Sequence, residues 1–171
     1  MTEKSDYVDT VTERWESIHP DIDCGPLSVT LRLIRAGRIL QAELDEIAAG
    51  HGFAVPGDYE LLAALRRSHP KGLQPTALAE RLMVTTSGIT GRLDRLEQAQ
   101  LIVRRSHPKD RRAISIHITE AGIEAADAVF TERTTAESIR FGNIPDNQLR
   151  QLADLLRVVL TELGDHLQEV E

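Results

Sequence analysis

The chain has 171 residues, 41% of them hydrophobic and 27% charged, with a formal net charge of −7 and a single cysteine, Cys24. That is enough apolar material for one sizeable core, and one cysteine excludes an intrachain disulfide and any multi-cysteine metal site. No run of 18 apolar residues exists, and the acidic opening MTEKSDYVDTVTERWE lacks the apolar stretch of a signal peptide, so a cytoplasmic protein without a membrane partner is expected.

Val8, Val11, Trp15 and Ile18 recur at spacings of 3, 4 and 3, which predicts an amphipathic helix over 8–19 closed by His19-Pro20. A long helix is expected over 27–49, ending at Gly50-His51-Gly52. The central segment then spans 56–119. In it, Pro75 suits a first helical turn, and Thr85, Thr86 and Ser87 supply capping hydroxyls for a second short helix. At 100° per residue Ile89, Leu93 and Leu96 share one narrow stripe, which turns Ser87, Gly91, Asp94, Arg95 and Gln98 outward. Leu101–Ser106 and Ala113–Ile118 read as strands joined through His107-Pro108-Lys109-Asp110-Arg111-Arg112. A further helix should run from a Thr119 cap to about Phe141. From Pro145 onward Leu149, Leu152, Leu156, Val159 and Leu163 form a stripe on a last helix, so that 120–168 is largely helical. The pattern defines a mainly α chain: a winged helix-turn-helix with a small β-hairpin wing, flanked by amphipathic helices that need partners, all within one domain over 1–171.

Charge singles out one face. Residues 81–112 hold eight cations (Arg81, Arg92, Arg95, Arg104, Arg105, Lys109, Arg111 and Arg112) against three anions, Asp94, Glu97 and Asp110. The segment is thus at +5 and the rest of the chain at −12, a basic stripe on an acidic body that suits a polyanion such as double-stranded DNA. The candidate DNA-contacting residues are Thr86, Ser87, Gly88, Thr90, Gly91 and Arg95 on the second helix, with Lys109, Asp110, Arg111 and Arg112 on the wing. Gly88 and Gly91 each cost a helix roughly 1 kcal/mol relative to Ala; close backbone approach to DNA is the functional reading, loose surface packing the bland one. A solvated basic hairpin without a partner is the bland reading of the wing.

On the strength of PTALAERL, TTSGITGRLDRLE and HPKDRRAISIHITEAG, the chain resembles the MarR family of bacterial transcription regulators, over roughly residues 27–167. The resemblance implies a homodimer whose terminal helices, here 27–49 and 120–168, interlock into a dimerisation domain that spaces two recognition helices. It also implies that the wing residues Asp110 and Arg112 act together, the Arg entering the minor groove. An Arg on a hairpin tip, oriented by a nearby carboxylate, is physically suited to that narrow electronegative groove.

The helix over 8–19 is an addition to the minimal family pattern and resembles the urate-responsive, PecS-like subgroup. That likeness implies an anionic-purine site at Trp15, Glu60, Arg92 and Arg104, with Glu60 standing where the subgroup usually carries Asp. Two guanidiniums and an indole are able to clamp and stack a flat anion, and another aromatic acid is the alternative effector. Against this, Arg92 and Arg104 are equally able to contact phosphates, Trp15 to anchor its helix, and Glu60 to pair with an Arg.

Other function classes have weaker support. A redox sensor would need Cys24, whose neighbour Asp23 should raise rather than lower a thiol pKa. A metal sensor would need His19, His51, His69, His107, His117 and His166 brought together, because none shows ligand spacing. A winged-helix module for protein interaction remains the alternative outside the regulator class. GxSxG, a phosphate-binding loop and a GxGxxG after a strand are all absent, so neither enzymatic activity nor a cofactor is expected.

Overall fold

The computed structural model describes residues 5–107 and 110–165, with backbone alone at 107 and 110–113. Seven helices and one two-stranded antiparallel sheet are present among the described residues. The chain divides into two compact units, one through Val129 and one from Phe130 onward.

In the first unit, α1 (Tyr7–Ile18) starts at a capping box. The Asp6 carboxylate accepts from the Val8 and Asp9 amides, and the Asp9 carboxylate accepts from the Asp6 amide. The helix ends at His19, and it lies along α2 (Gly25–Gly50) through Val8, which is buried, and the Asp6–Arg32 ion pair at 2.9 Å. Pro26 in the first turn of α2 starts that helix two residues before the expected Leu27.

The core is organised around α3 (Asp58–Ser68), whose Leu61, Leu62 and Leu65 are fully buried. Against it pack Leu78 of α4 (Pro75–Arg81), Ile89, Leu93 and Leu96 of α5 (Thr86–Gln98), Ile102 and Ile116 of the sheet, and Val129 of α6 (Glu120–Phe141). Each such aliphatic side chain contributes roughly 1.5 to 3 kcal/mol by leaving water. The stripe of Ile89, Leu93 and Leu96 is the buried face of α5, as the helical spacing requires.

The strands run further than the sequence suggests. β1 is Ile102–His107 and β2 is Asp110–Ile118, paired from Ile102↔Ile118 to His107↔Asp110 with an irregularity at Ser106/His107. The polar stretch expected to join them therefore enters the ladder at both ends, because backbone pairing proceeds irrespective of side-chain polarity. Leu73, ahead of α4, exchanges two backbone hydrogen bonds with Ile116 (2.9 and 2.8 Å), which fastens the sheet to the helix-turn-helix.

α6 starts at Thr119, whose Oγ1 accepts from the Gly122 amide (3.0 Å) and donates to the Gln100 carbonyl (2.8 Å). Gly122 is needed there, since a Cβ would overlap the Leu101 carbonyl oxygen. In the second unit, α7 (Asp146–Glu162) follows Pro145 and buries none of its residues. Leu152, Leu155, Val158 and Leu163 are all exposed. Leu163 caps the helix and Gly164 turns the chain at φ 88°; residues 166–168 of the expected span lie outside the described residues.

Candidate nucleic-acid interface and effector residues

α4, the turn Leu82–Thr85 and α5 form the helix-turn-helix. Met83 occupies the left-handed region (φ 53°) in that turn, and the Thr85 hydroxyl accepts from the Gly88 amide at 3.2 Å to cap α5. Beyond the cap, Thr86, Ser87, Gly88, Thr90 and Gly91 are all exposed, giving a continuous surface of small and hydroxyl-bearing residues. Nothing inside the protein demands glycine at 91, where a Cβ would meet only Arg95 Nη1 at 3.5 Å; at 88 it would meet only the Thr85 hydroxyl at 3.3 Å.

Helical spacing turns Arg95 outward, and in the structure this residue and three other arginines of the basic segment meet acceptors of the protein itself. Arg95 is exposed by 42%, yet its Nε and Nη2 donate to the two carboxylate oxygens of Asp58 at 2.8 and 2.7 Å, while Asp58 itself is buried. Arg92 Nη1 donates to the Gly57 carbonyl at 3.1 Å. Arg104 pairs with Asp94 (2.6 Å) and Glu97 (3.2 Å), both on α5. Arg81 donates to the Ser68 hydroxyl at 3.0 Å. Of the five cations of the basic segment whose side chains are described, Arg81, Arg92, Arg95 and Arg104 are therefore held by internal acceptors. Helical periodicity fixes the angle of a side chain about its axis, but not what a neighbouring element offers it. Lys109 lies outside the described residues, and the side chains of Asp110, Arg111 and Arg112 lie outside them as well, although their backbone belongs to β2.

The four effector candidates are each engaged elsewhere. Trp15, about half exposed, stacks on His19 with ring centroids 5.8 Å apart. Glu60 accepts from Gln41 Nε2 at 2.8 Å, and Arg92 and Arg104 have the partners named above. No ion pair or hydrogen bond joins any two of the four. A cavity of about 440 Å³ lies between α1 and α2, lined by Tyr7, Val11, Leu31, Arg35, Arg38 and Ile39 among others, and includes none of them. Cys24 is buried, and burial raises its thiol pKa, with Glu16 and Asp23 adding to the effect; that is the opposite of an activated thiolate. Among the described residues no group of three or more potential metal ligands occurs; His166 and the side chain of His107 lie outside them.

Asp58 and Gly122 are structurally decisive, and their partners had no signal in the sequence. Asp58 meets a residue 37 positions away, and Gly122 meets a carbonyl contributed by another element.

A helix-turn-helix with a β wing, presenting a small polar helix face beside a basic hairpin, defines a winged-helix DNA-binding protein. The family model of the MarR family matches residues 56–114. The chain is 30% identical over 131 residues to the transcriptional regulator PecS of Dickeya dadantii, covering 76% of this chain and 78% of PecS. It is 35% identical over 112 residues to the transcriptional repressor YetL of Bacillus subtilis, covering 66% of each. Among solved structures, CouR from Rhodococcus jostii bound to p-coumaroyl-CoA superposes with a TM-score of 0.66 at 25% identity, covering 77% of this chain and 90% of CouR. The chain belongs to the MarR family. It is a DNA-binding transcriptional regulator and not an enzyme.

Proposed function

We propose that the protein is a repressor that binds a pseudo-palindromic operator as a homodimer and leaves it when a small anionic aromatic ligand, urate or a related purine, is bound. The outer face of α5 carries this reading: Thr86, Ser87, Gly88, Thr90 and Gly91 form a surface with no bulky side chain, so the helix backbone can come close to base edges and phosphates in a major groove. Lys109, Asp110, Arg111 and Arg112 reach the adjacent minor groove from the wing, with Arg112 as the inserted residue. Homodimer formation is supported by the exposed apolar side chains of α7 and, separately, by Ile34, Ile39 and Leu40 on α2, which a second copy would remove from water. Such a regulator works in the cytoplasm.

In the effector reading, a flat anion draws Arg92 and Arg104 while Trp15 stacks on it and Glu60 accepts a ring N–H. Arg92 must then leave the Gly57 carbonyl, and Arg104 must leave Asp94 and Glu97. Both moves reach elements that read DNA, α5 and the first wing strand, so a ligand preferring that arrangement lowers operator affinity by the same coupling free energy. YetL, by name a repressor, and CouR, solved with an aromatic thioester, favour the same general behaviour.

Binding to a duplex selected from a randomised pool, followed by anisotropy across a salt series, tests the DNA reading; a steep decline of affinity with salt is expected. Sedimentation checks the dimer, and a monomer at micromolar concentration refutes that part. Trp15 is the sole tryptophan, so quenching of its emission on urate titration, lost in Arg92→Ala and Glu60→Ala, tests the effector. Unchanged emission and unchanged DNA binding at millimolar urate rule that ligand out and point to another aromatic acid.

A further inference from the structure

The recognition helix is tied to the start of α3 at two points. Arg95, in the last turn of α5, forms a two-bond fork with Asp58, the first residue of α3, whose side chain is only 8% exposed. One turn earlier Arg92 donates to the carbonyl of Gly57, which holds φ 87°, a backbone conformation that suits glycine. Removing the cation would leave a buried carboxylate unpaired, so the Asp58–Arg95 fork is more firmly held than an exposed ion pair. The placement also suits both helix ends, a carboxylate at the N-terminus of α3 and a guanidinium near the C-terminus of α5. The fork uses two of the five guanidinium N–H groups and holds the plane of the group against α3, so Asp58 sets where the Arg95 head lies.

We infer that Arg95 is a positioning residue and not a DNA contact: its fork with Asp58 sets the angle at which α5 is presented, so operator affinity depends on a buried carboxylate of α3. The inference rests on the DNA-binding reading above. It replaces the outward role that helical spacing assigns to Arg95.

The test uses the full chain and a labelled duplex selected from a randomised pool by the wild-type protein. Asp58→Asn, Arg95→Gln, Arg95→Lys and the Asp58→Asn/Arg95→Gln pair are titrated at several salt concentrations, with helix content checked by circular dichroism. Each single substitution should lower affinity about tenfold or more, comparable to losing a base contact. The pair should be no worse than its weaker member, because both changes break one fork. Arg95→Lys should fail with Arg95→Gln, since an ammonium cannot reproduce two parallel bonds. The slope of log affinity against log salt should stay at the wild-type value in all of them.

A phosphate-contacting Arg95 gives the reverse pattern and overturns the inference. Arg95→Lys would then bind near wild type, Arg95→Gln would show a slope shallower by about one per subunit, and Asp58→Asn, which frees the cation, would bind as well as wild type or better. Should Asp58→Asn not fold, the two Arg95 variants decide by affinity and slope alone. If the wild type selects no duplex, the DNA-binding reading itself falls, and this inference with it, an outcome separate from any pattern among the variants.

Discussion

Gly91→Ala separates what the fold needs from what DNA needs. Gly91 lies inside α5, and replacing an interior helical glycine by alanine gains about 1 kcal/mol in helix propensity. Its new Cβ would meet nothing closer than Arg95 Nη1 at 3.5 Å, an ordinary contact, so no packing penalty offsets that gain. With a urea dependence of about 2 kcal/mol per molar, the unfolding midpoint should rise by about 0.5 M. The same methyl projects from the exposed face of α5 into the space that a groove edge would fill. Operator affinity should therefore fall about tenfold, roughly 1.4 kcal/mol. Urea titration followed by circular dichroism reads the first quantity and duplex anisotropy the second. A more stable protein that binds DNA as tightly as wild type would refute close approach of the helix at Gly91, and a less stable one would refute the claim that the fold leaves that position free.

Gly122→Ala should behave oppositely, losing about 2 to 3 kcal/mol in the same urea titration, because its Cβ would overlap the Leu101 carbonyl, a backbone atom with little freedom to move. Arg112→Ala should weaken operator binding by roughly 1 to 3 kcal/mol with unchanged unfolding; loss in Arg111→Ala and not in Arg112→Ala would move the minor-groove role by one residue. His117 carries the pH prediction. Burial, then Arg105, and more weakly His69, lower its pKa below the ordinary 6.5, against an opposing hydrogen bond to the Pro70 carbonyl. The unfolded chain then binds the proton more readily than the folded one, so this contribution is complete above pH 6.5 and is lost as pH falls from there through the lower folded value. Unfolding of wild type and His117→Gln between pH 7.5 and 5 should show the steeper acid loss in wild type; identical profiles would contradict it.

Much of the fold was legible because it is local. The spacing of Ile89, Leu93 and Leu96 names the buried face of α5 without reference to anything else, and Thr85, Thr119 and Pro145 mark helix starts through hydrogen bonds and dihedral angles confined to a few residues. The wing too was visible as two strands, although its paired length was not, since backbone ladders extend through residues whose composition suggests a loop. What the sequence could not decide is how the arginines are used. A cation has the same charge whether it faces a phosphate or a carboxylate 37 residues away, so counting charges over 81–112 gives a face of +5 and says nothing of the internal acceptors that hold Arg81, Arg92, Arg95 and Arg104. The same holds for Gly122, whose need for glycine comes from the Leu101 carbonyl and exists only once that segment has packed, whereas Gly57 answers to its own φ of 87°.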